Sequence, residues 1–203
     1  MKPVKECTEN PDYPAASVFQ GIKWELSGGT KQAGIIAASL VLGSNIDTVI
    51  EIGIYYGFTS HILAKSLASN TENGFLFSVD INPRAIQRSK NITKGLPITH
   101  LHLESDSKLV NYKEVLNGRK VGLAFVDGNH THEYAGHDIR ACYEVLKPYG
   151  YIVVHDYSKT GFPGVYQAVS EFIKETGDPL FYIEENREST DYRTAIIQKK
   201  GNY

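Results

Sequence analysis

The chain is poor in the residues that build covalent or metal-centred frameworks. Only two cysteines occur in 203 residues, Cys7 and Cys142, at no spacing that would hold a metal or a redox pair. Cys142 falls among apolar residues of an expected helix and reads as a small buried hydrophobe, and a reducing cytoplasm is the expected compartment. An excess of one charge is also lacking. Lys and Arg number 21 against 23 Asp and Glu, for a net charge of -2. The basic residues are scattered, so the electrostatic footprint of a nucleic-acid binder is missing. No apolar run approaches the roughly 18 residues of a membrane span. The start, residues 1–7, has no apolar core of the kind that marks a signal peptide.

What remains is ordinary globular composition, 41% hydrophobic and 22% charged. It suits one domain over residues 1–203 with a sizeable core. Residues 1–13, polar and proline-bearing, read as a loose arm. Two N-terminal helical segments are expected at 14–26 and 30–43. Apolar, β-rich runs then recur at 48–53, 75–80, 98–103, 121–126 and 150–155. Helical segments alternate with them at 58–69, 83–94, 106–117 and 133–146. Such alternation predicts βαβ units and a parallel sheet. After a helix over 164–176, runs at 180–185 and 192–199 are joined by a segment too short for a crossover. They must therefore form an antiparallel hairpin.

The most informative stretch is residues 49–60, Val-Ile-Glu-Ile-Gly-Ile-Tyr-Tyr-Gly-Phe-Thr-Ser. A β-branched run ends in an acid, and a Gly-x-x-x-Gly turn opens a helix. Open α/β sheets hold nucleotide-like ligands at such a turn. The dinucleotide fingerprint Gly-x-Gly-x-x-Gly would need glycine at position 55, where Tyr55 stands. Asp80 ends the second strand, where a carboxylate accepts hydrogen bonds from ribose hydroxyls. Pro83, after Asn82, sits where a helix start needs no amide donor. Two further strands end in acids, at Phe125-Val126-Asp127-Gly128-Asn129-His130 and at Val153-Val154-His155-Asp156-Tyr157. Carboxylates concentrated in one crevice require a cation or a shared proton, and oxygen-rich sites of this kind suit Mg²⁺. His130 can accept a hydroxyl proton near neutrality. His155, inside its strand, should face away from Asp156 by alternation, and His100 and His102 read as structural.

The motif Glu51-Ile52-Gly53-Ile54-Tyr55-Tyr56-Gly57-Phe58-Thr59 resembles the cofactor loop of class I S-adenosylmethionine-dependent methyltransferases. It is closest to the catechol O-methyltransferase branch and to bacterial small-molecule and sugar O-methyltransferases. Val79-Asp80-Ile81-Asn82-Pro83 resembles that branch's ribose-binding strand end. The resemblance spans about residues 29–199. It implies a Rossmann-like, seven-stranded, mostly parallel sheet with an antiparallel C-terminal hairpin and helices on both faces.

It further implies that Glu51 orients the loop and the methionine end of the cofactor. Gly53 and Gly57 would let the backbone pass close by, Asp80 would hold the ribose, and Ser105 would lie near the adenine. Asp127 is placed with the cofactor and, together with Asp156, as a ligand of Mg²⁺. Tyr157 stands where the catechol branch has an asparagine ligand, and His130 where it has a lysine base. The expected activity is methyl transfer from S-adenosylmethionine to a hydroxyl of a small molecule, with His130 as the base. Two alternatives stay open, a nicotinamide-dependent oxidoreductase and a non-catalytic cofactor-binding protein. Aromatic residues within 13–24 point to a homodimer, and neither nucleic acid nor membrane is an expected partner.

Overall fold

The computed structural model describes residues 18–185 and 191–201. The loose arm, Cys7, the first part of the 14–26 segment and most of the hairpin turn lie outside the described residues.

Seven strands form one sheet in the order β3-β2-β1-β4-β5-β7-β6. They are β1 (Thr48–Ile52), β2 (Phe75–Asp80), β3 (Thr99–Glu104), β4 (Val121–Val126), β5 (Leu146–Val154), β6 (Leu180–Glu184) and β7 (Arg193–Gln198). β1 to β5 pair in parallel, and β7 pairs antiparallel with both β5 and β6. The expected sheet and hairpin are therefore present. β1 and β4 are buried throughout, as strands covered on both faces must be.

Helices α1 (Lys31–Gly43) and α2 (Phe58–Asn70) cover one face of the sheet. Their small and aliphatic residues, among them Ala37, Val41, Ile62 and Leu67, pack on Val49, Leu123 and Val153. On the other face α4 (Tyr112–Leu116), α5 (His132–Val145) and α6 (Pro163–Thr176) pack on Ile50, Phe77 and Ile152. Helix α3 (Pro83–Ile92) begins at Asn82, whose side chain accepts from the Arg84 amide, with Pro83 at the first helical position.

Three expected elements differ. The 106–117 segment splits, because Val110 is extended between a 3₁₀ turn at Ser107–Leu109 and α4. Asp106 and Asn111 cap the two pieces separately. β5 starts before residue 150, since a bulge at 147–150, with Tyr149 at φ 62°, absorbs the extra residues. The described part of the 14–26 helix contains Gly21 at φ 73°, which stops it, and only a 3₁₀ turn at Trp24–Leu26 follows. Trp24 packs on Phe19 and Phe58 in the core.

Candidate active site

The chain reverses direction across the sheet between β1 and β4, and a cleft opens there at the carboxyl ends of the strands. Its volume is about 550 Å³, and its lining includes Gly53, Asp80, Ser105, Asp127, His130 and Asp156. Among the expected site residues, only Glu51 and Gly57 lie outside that lining.

The glycine turn explains its own composition. Gly53 adopts φ 88°, and a Cβ there would overlap the Asp127 carbonyl, so no other residue fits. Gly57 adopts φ 82° as the N-cap of α2. It shapes the turn from behind the cleft. Tyr55 holds a left-handed φ of 51° and packs against Tyr56 in a tilted arrangement with ring centroids 4.0 Å apart. Asp80 locks the turn in place. Its Oδ2 accepts from the Ile54 amide at 2.8 Å and the Tyr55 amide at 3.3 Å, and its Oδ1 accepts from Asn82 at 2.7 Å.

Glu51 is wholly buried and reaches the turn from beneath. Its Oε2 lies 2.7 Å from Ser60 Oγ and 2.5 Å from Ser78 Oγ. This position beneath the turn agrees with the expected orientation of the loop by Glu51, although its side chain does not line the cleft. The alternation of β1 turns its side chain toward α2, away from the cleft. Burial pushes its carboxyl up to about 7, against the hydrogen bonds from Ser78 and Ser60, with Asp80 and Asp127 adding to the rise.

At the far wall, Asp106 accepts from Tyr134 at 2.7 Å and from the Lys108 amide at 2.9 Å. Tyr134 lines the cleft and was not singled out from the sequence, because a helix-face tyrosine carries no motif. Thr30 lines the cleft, while Gln32 points elsewhere and donates to the Glu184 carbonyl.

The mouth of the cleft holds a charged cluster. His130 Nε2 lies 3.4 Å from Asp127 Oδ1 and 3.3 Å from Asp156 Oδ2, and its ring packs at a tilt against Phe162 with centroids 4.3 Å apart. Donor atoms of Asp127, His130 and Asp156 lie within 4.8 Å of one another. The two carboxylates at that separation fit a divalent cation that keeps several waters.

His155 corrects the sequence expectation. β5 ends at Val154, and Asp156 adopts a left-handed φ of 55°, which breaks the alternation of faces. Both side chains turn into the cluster. His155 Nδ1 lies 3.2 Å from Asp127 Oδ1 and 3.3 Å from Asp156 Oδ2, and its Nε2 lies 3.3 Å from Glu185. Burial disfavours the imidazolium, but Asp127, Asp156 and Glu185 outweigh it and raise His155 to about 12. Burial likewise opposes the Asp127 carboxylate, yet His155 and His130 leave its pKa lowered.

The 157–164 connection is pinned by Asp191. Asp191 accepts from Ser158 Oγ at 2.6 Å and from the Lys159 and Thr160 amides at 2.8 and 3.1 Å. Among the described residues no helix is long and apolar enough to cross a membrane.

A family model described as a methyltransferase domain matches residues 50–157, from β1 to just past Asp156. The chain belongs to this methyltransferase family. The assignment agrees with the glycine turn and the acid-ended strands, and it sets aside the nicotinamide alternative. No curated protein matches the sequence. Solved structures share the fold of this methyltransferase at low identity. The O-methyltransferase TomG from Streptomyces achromogenes, in complex with S-adenosylmethionine, is 13% identical with a TM-score of 0.67, over 95% of this chain and 92% of that one. The N-methyltransferase NodS from Bradyrhizobium japonicum, with S-adenosylhomocysteine, is 18% identical with a TM-score of 0.61, over 92% and 96%. An rRNA methylase from Streptococcus thermophilus is 13% identical with a TM-score of 0.61, over 85% and 97%.

Proposed function

We propose that this methyltransferase transfers the methyl group of S-adenosylmethionine to a hydroxyl of a small molecule, with His130 as the general base. The observation that carries the reading is the convergence of His130 with Asp127 and Asp156 at the mouth of a cleft floored by the glycine turn. The cofactor, when bound, supplies a methyl group already activated on a sulfonium sulfur. Asp80 is positioned to meet a ribose while it fixes the turn. Ser105, Asp106 and Tyr134 form the wall suited to an adenine.

His130 presents Nε2 to two carboxylates. They favour the tautomer with the proton on Nε2, which leaves the Nδ1 lone pair to take the acceptor's hydroxyl proton. The same carboxylates stabilise the imidazolium that results. A divalent cation held by Asp127 and Asp156 would supply Lewis acidity that lowers the hydroxyl pKa. His155 already sets a positive charge between those two residues. This supports a second reading, in which the buried imidazolium fills the electrostatic role of the metal.

The test uses purified protein, methyl-labelled S-adenosylmethionine and a panel of hydroxylated small molecules, with amines and rRNA as competing acceptors. Methyl transfer to a hydroxyl that is lost in His130→Ala supports the proposal, and transfer only to amine or rRNA overturns it. The same assay in EDTA separates the two readings. Lost turnover favours the cation, and unchanged turnover favours His155 alone.

A further inference from the structure

A run of polar side chains beneath the glycine turn takes no part in the proposed methyl transfer. From Glu51 Oε2 it passes to Ser78 Oγ at 2.5 Å, then to His100 Nε2 at 2.8 Å. His100 Nδ1 lies 3.0 Å from Thr93 Oγ1, which donates to the Ser89 carbonyl at 2.8 Å. Glu51, Ser78 and Thr93 are buried. The other Glu51 oxygen, Oε1, has no hydrogen-bond partner among the described residues. A buried ionised carboxylate tolerates such an arrangement poorly.

With His100 neutral, as its burial favours, hydrogen accounting sets the direction of each bond. The single hydroxyl proton of Thr93 goes to the Ser89 carbonyl, so His100 must donate from Nδ1 to Thr93. A neutral imidazole then offers only a lone pair at Nε2, so the Ser78 hydroxyl, which also lies in donating geometry to Glu51, gives its proton to the ring instead. The Ser78 proton is thereby used. The short contact between Ser78 and Glu51 holds a proton only if Glu51 carries one. If Glu51 ionises, Ser78 must turn to donate to it, and His100 must switch to the tautomer with its proton on Nε2. Thr93 is then asked to donate to both Nδ1 and the Ser89 carbonyl, and one bond is lost. The net change is one proton released to solvent.

We propose that Glu51 holds a proton whose loss switches the tautomer of His100 through Ser78, which makes His100 a positioning residue for the glycine turn. Glu51 lies two residues before Gly53, and Ser60, its other partner, lies in the first turn of α2 just after Gly57. Both ends of the turn are therefore tied to one carboxyl group. The charged groups acting on Glu51 are Asp80 from the end of β2 and Asp127 from the end of β4. His100 packs against His102 with ring centroids 3.7 Å apart, and Lys90 of α3 acts on His102. Burial raises the Glu51 carboxyl and lowers the His100 imidazolium, which suits a proton residing on the glutamate.

The effect on ligand binding rests on the methyltransferase reading, whereas the proton switch does not. The first measurement is the ¹⁵N spectrum of histidine-labelled protein between about pH 5.5 and 8.5. His100 should pass from the Nδ1–H to the Nε2–H tautomer with a midpoint near the Glu51 value of about 7. In Glu51→Gln its tautomer should not change with pH. In Ser78→Ala, which keeps both ends and cuts the relay, His100 should no longer follow Glu51. A single His100 tautomer across the range in the wild type, or a switch that persists in Glu51→Gln, overturns the proposal.

The second measurement is calorimetric titration with S-adenosylhomocysteine over the same range. An affinity change of roughly threefold or more with the same midpoint, flat in Glu51→Gln, supports the positioning role. A flat wild-type profile beside a switching His100 overturns that role. If S-adenosylhomocysteine binds at no pH, the cofactor reading falls, and the ¹⁵N result still decides the proton switch.

Discussion

Two groups of histidines flank the central strands and are handled in opposite ways. At the ends of β4 and β5, His155 faces Asp127, Asp156 and Glu185 and is raised to about 12. On β3, His100 and His102 face the hydroxyls of Ser78, Thr93 and Ser89 and pack against each other. They are lowered to about 3 and about 4, chiefly by burial. His155 is the more deeply buried of the two and His100 is only partly buried, so depth does not explain which ring is charged. The partners do. Carboxylates make an imidazolium affordable in the interior, and hydroxyls, which donate or accept equally well, leave the ring neutral. Imidazolium charge is thus concentrated at the mouth of the cleft, and the histidines on the Glu51 side of the sheet stay neutral.

The strongest way to break this comparison is to remove the buried cation. In His155→Gln, Asp127, Asp156 and Glu185 lose their shared partner, and we expect a stability loss of about 3–5 kcal/mol at neutral pH. Denaturant titration measures it. His100→Gln, which removes a neutral ring, should cost clearly less. Equal losses would falsify the division between charged and neutral regions.

His130 belongs to the charged region but is half-exposed and lines the cleft. His130→Ala should lower kcat by about 10²–10⁴ if it is the base, with the affinity for S-adenosylhomocysteine unchanged. Its melting temperature should stay near that of the wild type. A variant that melts early and keeps its turnover would move His130 from chemistry to structure.

The sheet, its hairpin and the cleft were legible in the sequence because periodicity and strand-end acids repeat at regular intervals. Asp80, Ser105, Asp127, His130 and Asp156 all meet in one cleft for that reason. His155 was not legible. Its direction depends on the left-handed backbone of Asp156, and an aspartate in that conformation looks like any other in a string of letters. Glu51 was readable as a motif residue but not as a buried one, since its partners Ser60 and Ser78 come from other elements. The broken helix at 106–117 escaped because Val110 gives no breaker signal.

A finer test separates the regions by the sign of their pH dependence. Glu51 is raised from 4.5 to about 7 in the folded protein. Between those values the folded state holds a proton that the unfolded state has released. Stability from this group is complete below about pH 4.5 and is lost as pH rises through about 7. The difference is about 3 kcal/mol. Glu51→Gln should remove this slope, read as stability against pH. Retention of the full slope in the variant would place its source elsewhere.

The smallest effect comes from His102, at the half-buried rim of the neutral region. His102→Gln removes the bond to Ser89 at 2.9 Å and the packing against His100, at a cost of about 1 kcal/mol. Its pH signature is more telling than its size. A histidine lowered from 6.5 to about 4 stays neutral in the fold while the unfolded chain takes up a proton. Stability from this group therefore rises with pH across that window, opposite in sign to Glu51. The two slopes overlap between about pH 4.5 and 6.5 and partly cancel in the wild type. Glu51→Gln should uncover the rising slope of the histidines, and His102→Gln should steepen the fall due to Glu51. If both variants shift the profile in the same direction, the hydroxyl-bound histidines are not neutral in the fold.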